Sequence, residues 1–236
     1  MRKNYPRWLY WFIVLAVPVA LVLTAVRILI SPLFIQIEYN SPGFPPDRFG
    51  FTKADRIYWA NIAVDYLVND ADISFLGDLR FPEGQSTPPA SCLYMDDCSK
   101  LYNERELQHM LDVKNVVQAA LRIWYFSLGL LVVTGILAYF DGWKREYRRA
   151  IGRGGWLTLA LLGAILLFVF LAFGVIFVLF HNIFFESGTW TFLYSDTLIR
   201  LFPERFWRDT FLAVGLLAGG AGLFLGVLLR DKPKKE

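Results

Sequence analysis

Only two histidines occur in the 236 residues, His109 and His181. Imidazole is the one side chain whose ordinary pKa lets it take and give a proton near neutral pH. Each lies in a polar phrase beside a long apolar run: ERELQHMLDVK at 104–114 and FHNIFF at 180–185. Two imidazoles with carboxylates close by in sequence suit general acid–base work. Asp112 and Glu106 are the candidates to orient His109, in the manner of an acid behind a catalytic imidazole.

The elements that must hold these residues are membrane helices. The chain is 56% hydrophobic and 17% aromatic, with a mean hydropathy of +0.41. Four apolar stretches, at about 8–30, 116–140, 157–180 and 210–229, reach the roughly 20 residues a spanning helix needs. The first follows Arg7 but exceeds the apolar core of a signal peptide, and is read as a retained helix. The expected fold is an all-α polytopic membrane protein, a four-transmembrane-helix bundle forming one integral membrane domain over 1–236. It has a large first extracytoplasmic loop (31–115), a cytoplasmic loop (141–156) and a short amphipathic second extracytoplasmic one (181–209).

Basic residues set the orientation. Arg2, Lys3 and Arg7 precede the first span, Lys144, Arg145, Arg148, Arg149 and Arg153 lie in the second loop, and Arg230, Lys232, Lys234 and Lys235 form the tail. The positive-inside rule then puts both termini in the cytoplasm and both histidines outside. The net charge of +3 and the pI near 8.8 report topology and do not argue for nucleic acid.

Cys92 and Cys98 fall in the outer first loop, where an oxidising face permits a disulfide. Two unpaired thiols are the alternative, and no histidine lies at finger-like metal spacing. In the same loop, 52–69 has helical periodicity, with Thr52 and Asp55 spaced as a capping box. The phrase ISFLGDLRFPEGQ after it reads as a turn-rich return to the membrane surface. From Tyr102 to Phe140 there is no proline, so one long helix is expected, with Glu106, His109, Asp112, Val113 and Val116 on one face. His109 precedes Val116 by seven residues, about 10 Å of helix, so it can meet His181 if this half leans over the end of span three. Lys114 is a further charge close to the bilayer.

In the last outer segment, Asp196 and Arg200 are spaced i,i+4 and Pro203 ends the short helix they imply. This segment reads either as a surface ion pair or as an interfacial lid anchored by Trp190, Phe192, Phe206 and Trp207. Gly215, Gly219, Gly220, Gly222 and Gly226 suggest close helix packing in span four, within the bundle or in a dimer.

Four phrases together resemble the bacterial lipoprotein intramolecular transacylases. They are FLGDLRF at 75–81, which contains Arg80, ERELQHMLDVK, FHNIFFESGTWTF at 180–192, and DTLIRLFPERFW at 196–207. The resemblance covers essentially the whole chain. It implies transfer of an acyl chain from the glyceryl sn-2 oxygen of a lipoprotein to the amine of its N-terminal cysteine, giving a lyso-form lipoprotein. It implies His109 and His181 as the catalytic pair, with Asp112 and Lys114 matching the family phrase around the first. The expected partners are diacylglyceryl-modified lipoproteins and membrane lipids, in the bacterial cytoplasmic membrane. Amide formation from an ester is downhill, so no cofactor is expected, and there is no phosphate loop. The sequence does not order the two histidines; His109 as base and His181 as acid is the first assignment.

Two other classes compete. A metal-binding or sensory membrane protein would use His109, His181, Asp112 and a cysteine as ligands. A transporter is weaker, because no pair of Gly/Pro-broken helices appears.

Overall fold

The computed structural model describes residues 5–230. Arg2, Lys3, Lys232, Lys234 and Lys235, used above for orientation, lie outside them. The described residues are almost wholly helical, with one isolated bridge between Arg80 and Lys100 and no strand. The order is α1 (Arg7–Leu29), α2 (Pro32–Tyr39), α3 (Lys53–Val68), α4 (Ser74–Gly77), α5 (Pro89–Cys92), α6 (Glu104–Phe140), α7 (Lys144–Phe184), α8 (Thr197–Leu201) and α9 (Glu204–Leu228). Of these, α1, α6, α7 and α9 are long and apolar enough to cross a bilayer, so the chain is an all-α multi-pass membrane protein.

Two compact units divide the chain. The first comprises Met1–Ile28, Ala120–Leu171 and Phe211–Glu236. Its core packs Tyr10, Ile13 and Val14 of α1 against Ala138, Trp143 and Ala150, with a second cluster of Ala25, Leu162 and Ala218. Small residues let the backbones approach: a Cβ at Gly154 would lie 2.5 Å from Val17 Cβ, and one at Gly222 would lie 2.8 Å from the carbonyl oxygen of Gly155. Gly215 and Gly226 likewise face Leu166 and Trp156, so three of the five span-four glycines serve packing within the chain.

The segment read as a cytoplasmic loop over 141–156 is helical from Lys144 onward. The chain turns at Gly142, whose φ of +79° only glycine adopts readily, and the Trp143 N–H bonds the Ala138 carbonyl at 3.1 Å. Then α7 begins at Lys144. The basic residues there alternate with Tyr147, Ala150 and Ile151, which join the core cluster around Tyr10, Ile13 and Val14, and this apolar stripe carries the helix through them.

The second unit comprises Leu29–Ala119 and Ala172–Thr210. It starts, on α7, where the helical geometry breaks at Ala172 (φ −152°, ψ 54°). Thr52 and Asp55 form a complete capping box on α3, and Ser31 caps α2 ahead of Pro32. The first loop buries more than its prolines suggest: Tyr66, Leu76, Leu101 and Tyr102 are almost fully enclosed. The segment read as returning to the membrane surface instead forms α4, with Leu76 inside the unit.

Candidate active site

The candidate site lies wholly within the second unit. The first half of α6 brings His109 to it, and the last turns of α7 bring His181. The rings stack with centroids 6.0 Å apart and planes 20° from parallel. Both are buried, at 9% and 8% exposure. Aromatic rings enclose them: Phe185 and Phe192 lie 4.9 and 5.3 Å from His109, while Phe177 and Trp190 lie 4.1 and 4.8 Å from His181.

The two imidazoles are held differently. His181 Nδ1 lies 2.7 Å from the Phe177 carbonyl oxygen one turn earlier. A carbonyl only accepts, so Nδ1 carries the proton and the neutral ring keeps its lone pair on Nε2. His109 Nδ1 is buried with no hydrogen-bond partner. His109 precedes the apolar 116–140 stretch, and burial, then the neighbouring His181, holds its pKa down to about 4. His109 is therefore a neutral ring at physiological pH. Trp190 Nε1 is a second buried donor without a partner beside the pair.

The carboxylates expected to support His109 do other work. Glu106 Oε2 accepts the Asn103 N–H at 2.9 Å while Asn103 Oδ1 accepts the Glu106 N–H, a reciprocal cap on α6. Glu106 Oε1 accepts the Leu198 N–H of α8 at 2.7 Å. One buried carboxylate thus caps two helices, and N-x-x-E at 103–106 was the sequence signal for it. Asp112 accepts from Gln108 at 3.1 Å. Lys114 donates to Asn69 Oδ1 and the Ala71 carbonyl, over the Tyr66 ring, and so ties α6 to the end of α3.

The pair expected between Asp196 and Arg200 does not form. Arg200 instead makes a buried two-pronged bond to Asp47, at 3.2 and 3.0 Å, and stacks 3.6 Å over Phe51. Burial works against ionisation of Asp47, but hydrogen bonds from Arg200 and from the Phe51 and Phe49 backbone outweigh it and hold the carboxyl low. Asp196 accepts the Leu193 N–H and faces Arg105 at 3.9 Å. The 197–206 part of this segment is built into the unit: α8 is buried, and Phe206 packs on Phe34 and Phe202. Only Trp190 and Phe192 of the four expected anchors face the histidines.

Arg80 makes a half-exposed contact of 3.7 Å with Asp97. Cys92 and Cys98 are joined as a disulfide, which removes both from the ligand set a metal-binding reading would use. Ser91 beside it bonds Ser195, hydroxyl to hydroxyl, at 2.8 Å in the interior. The residues that sequence reasoning left out are Phe177 and Phe185. Their only signal was spacing, four residues on either side of His181.

Comparison with known proteins agrees with the sequence phrases. The family model described as lipoprotein intramolecular transacylase Lit matches residues 11–207. An uncharacterized protein of Aquifex aeolicus (strain VF5) is 32% identical over 205 residues, covering 86% of this chain and 85% of that one. Crystal structures of the membrane integral lipoprotein intramolecular transacylase Lit from Bacillus cereus share the fold. One covers 94% of this chain and 93% of its own, with a TM-score of 0.68 at 18% identity. A variant of it with one histidine replaced by alanine superposes with a TM-score of 0.61, also at 18% identity, covering 95% of this chain and 91% of its own. The chain belongs to the lipoprotein intramolecular transacylase family, and is an acyltransferase of the membrane.

Proposed function

We propose that the chain transfers the sn-2 acyl group of a diacylglyceryl lipoprotein to the amine of its N-terminal cysteine, with His181 and His109 as the catalytic pair. The observation that carries this is the stacked pair of imidazoles in an aromatic enclosure. Nucleophile and ester belong to one molecule, so the protein has mainly to hold the lipid head in an attacking arrangement.

The way each ring is held supports the reverse of the first assignment. His181 Nε2 is the free lone pair and takes a proton from the attacking amine. The imidazolium so formed is steadied by its Nδ1–H on the Phe177 carbonyl. His109, neutral, offers an N–H to the oxygen on which negative charge develops. As the new N–C bond completes, the acyl–oxygen bond breaks and the glyceryl oxygen takes the proton back from His181. One proton leaves nitrogen and one arrives at oxygen, so the pair ends as it began. Two charged imidazoles this close would repel, which suits a pair that carries one added proton at a time.

The distribution of Arg and Lys supports both termini in the cytoplasm and a site on the outer face of the bacterial membrane. The Cys92–Cys98 disulfide supports the same orientation, since such bonds persist in oxidising compartments. The test is mass spectrometry of lipoprotein N-terminal peptides from cells with the chain, without it, and with His181→Ala or His109→Ala. The N-acylated lyso form is expected only with the unaltered chain; lyso form made by either variant at the parent rate overturns the proposal.

A further inference from the structure

In the first unit, the start of α1 and the first turns of α7 line an open cleft of about 220 Å³. Tyr5, Arg7, Tyr10, Trp11, Arg149 and Arg153 line it, so three guanidiniums share one site. Its walls are fixed. Tyr5 stacks on Trp143 at 5.6 Å, Tyr10 belongs to the apolar core, and the Arg153 guanidinium lies 5.5 Å from the Tyr10 ring.

A second observation concerns depth. Trp8 and Trp11 are largely exposed on the same helix end, as aromatic residues at a membrane–water boundary are. From there Trp8, Phe12, Leu15 and Val19 form an exposed apolar stripe down α1 at helical spacing. A single arginine at a span end needs no explanation beyond reaching for water. Three around one cleft, one of whose helices also carries an exposed apolar stripe, match a different chemistry: planar donor forks for a phosphate, and a track for the chains attached to it.

We propose that this cleft binds the phosphate of an anionic phospholipid, whose acyl chains lie along the exposed stripe of α1. Basic pockets between span ends take lipid head groups in this way. The site shares no residue with the histidine pair, and its ligand is a bound lipid rather than the acyl donor. A soluble phosphate would meet the same arginines, so the experiment separates the two sources.

The full chain is placed in bilayer discs of phosphatidylglycerol and phosphatidylcholine, released, and weighed intact with its adherent lipids. Preferential retention of phosphatidylglycerol is expected. Arg7→Gln and Arg153→Gln should each lower it about fivefold, the effect of one basic residue at a charged lipid surface. Arg153→Lys should keep most of it, and Arg48→Gln, which removes an exposed charge elsewhere, should leave it unchanged. Equal retention of the two lipids, or unchanged retention in both glutamine variants, overturns the proposal. Displacement of phosphatidylglycerol by inorganic phosphate overturns the lipid assignment and gives the cleft to a soluble anion.

Discussion

The two units solve opposite packing problems. The first unit is held by close contacts of small and apolar groups, Gly154 on Val17, Gly222 on Gly155, Ile13 and Val14 on Ala138. The second buries polar and charged groups: Glu106, Arg56, Asp47 and Arg200 all lie inside it, each with defined partners. Lipid supplies no hydrogen bonds, so spans gain from shape and small residues. A site that must hold two imidazoles in place gains instead from directional bonds, which fix angles as well as distances. The difference teaches where a substitution costs stability and where it costs chemistry.

The sharpest way to break this division is His181→Ala. Loss of about 10²–10⁴ in turnover is expected, the usual contribution of a positioned acid–base group. The thermal midpoint in detergent should stay close to that of the parent. A variant that unfolds would place His181 among the structural groups instead.

Arg200→Ala comes next. It strands Asp47 with a buried charge, and breaking such a pair costs about 3–5 kcal/mol. A chemical or thermal unfolding series reads this directly, and a change under 1 kcal/mol would refute the burial argument. In the first unit, Gly154→Ala forces a methyl group onto Val17 and should cost about 1–3 kcal/mol with turnover per folded molecule unchanged.

The smallest effect is a pH dependence. Asp47 is held below its ordinary pKa, so it contributes stability that is complete above the unfolded value of about 4 and fades as pH falls below it. Asp47→Asn should therefore flatten the acid side of the stability curve below about pH 4. An unchanged acid limb would show that another carboxyl governs it.

Much of the fold was readable because spans announce themselves by length and hydropathy. The capping box at Thr52 and the uninterrupted helix into Phe140 were equally plain, each being a local pattern. The histidine pair was also accessible, through count, depth and helix phase. What escaped was non-local. Arg200 had a neighbour at i−4, yet its partner Asp47 lies 153 residues away, and no spacing rule reaches that far. Glu106 shared a face with His109, but a face fixes direction only within one turn, and the carboxylate was taken by the start of α8. The charges ahead of span three read as loop because hydropathy weighs Lys and Arg above the apolar stripe running between them.

Segment 195–201 is fastened to the rest of the second unit at one residue after another. Ser195 holds Ser91, Thr197 the Leu101 carbonyl, Leu198 Glu106, Arg200 Asp47, and Leu201 receives the Tyr39 hydroxyl. Such a segment opens only when its partners open with it. In hydrogen exchange, its amides should therefore protect and release together with those at the start of α6. The residues free to exchange early are those before it, where Thr191 and Tyr194 are exposed. A lipid reaching the histidines would then displace the 186–194 turn and leave 195–201 as the fixed bank it moves against.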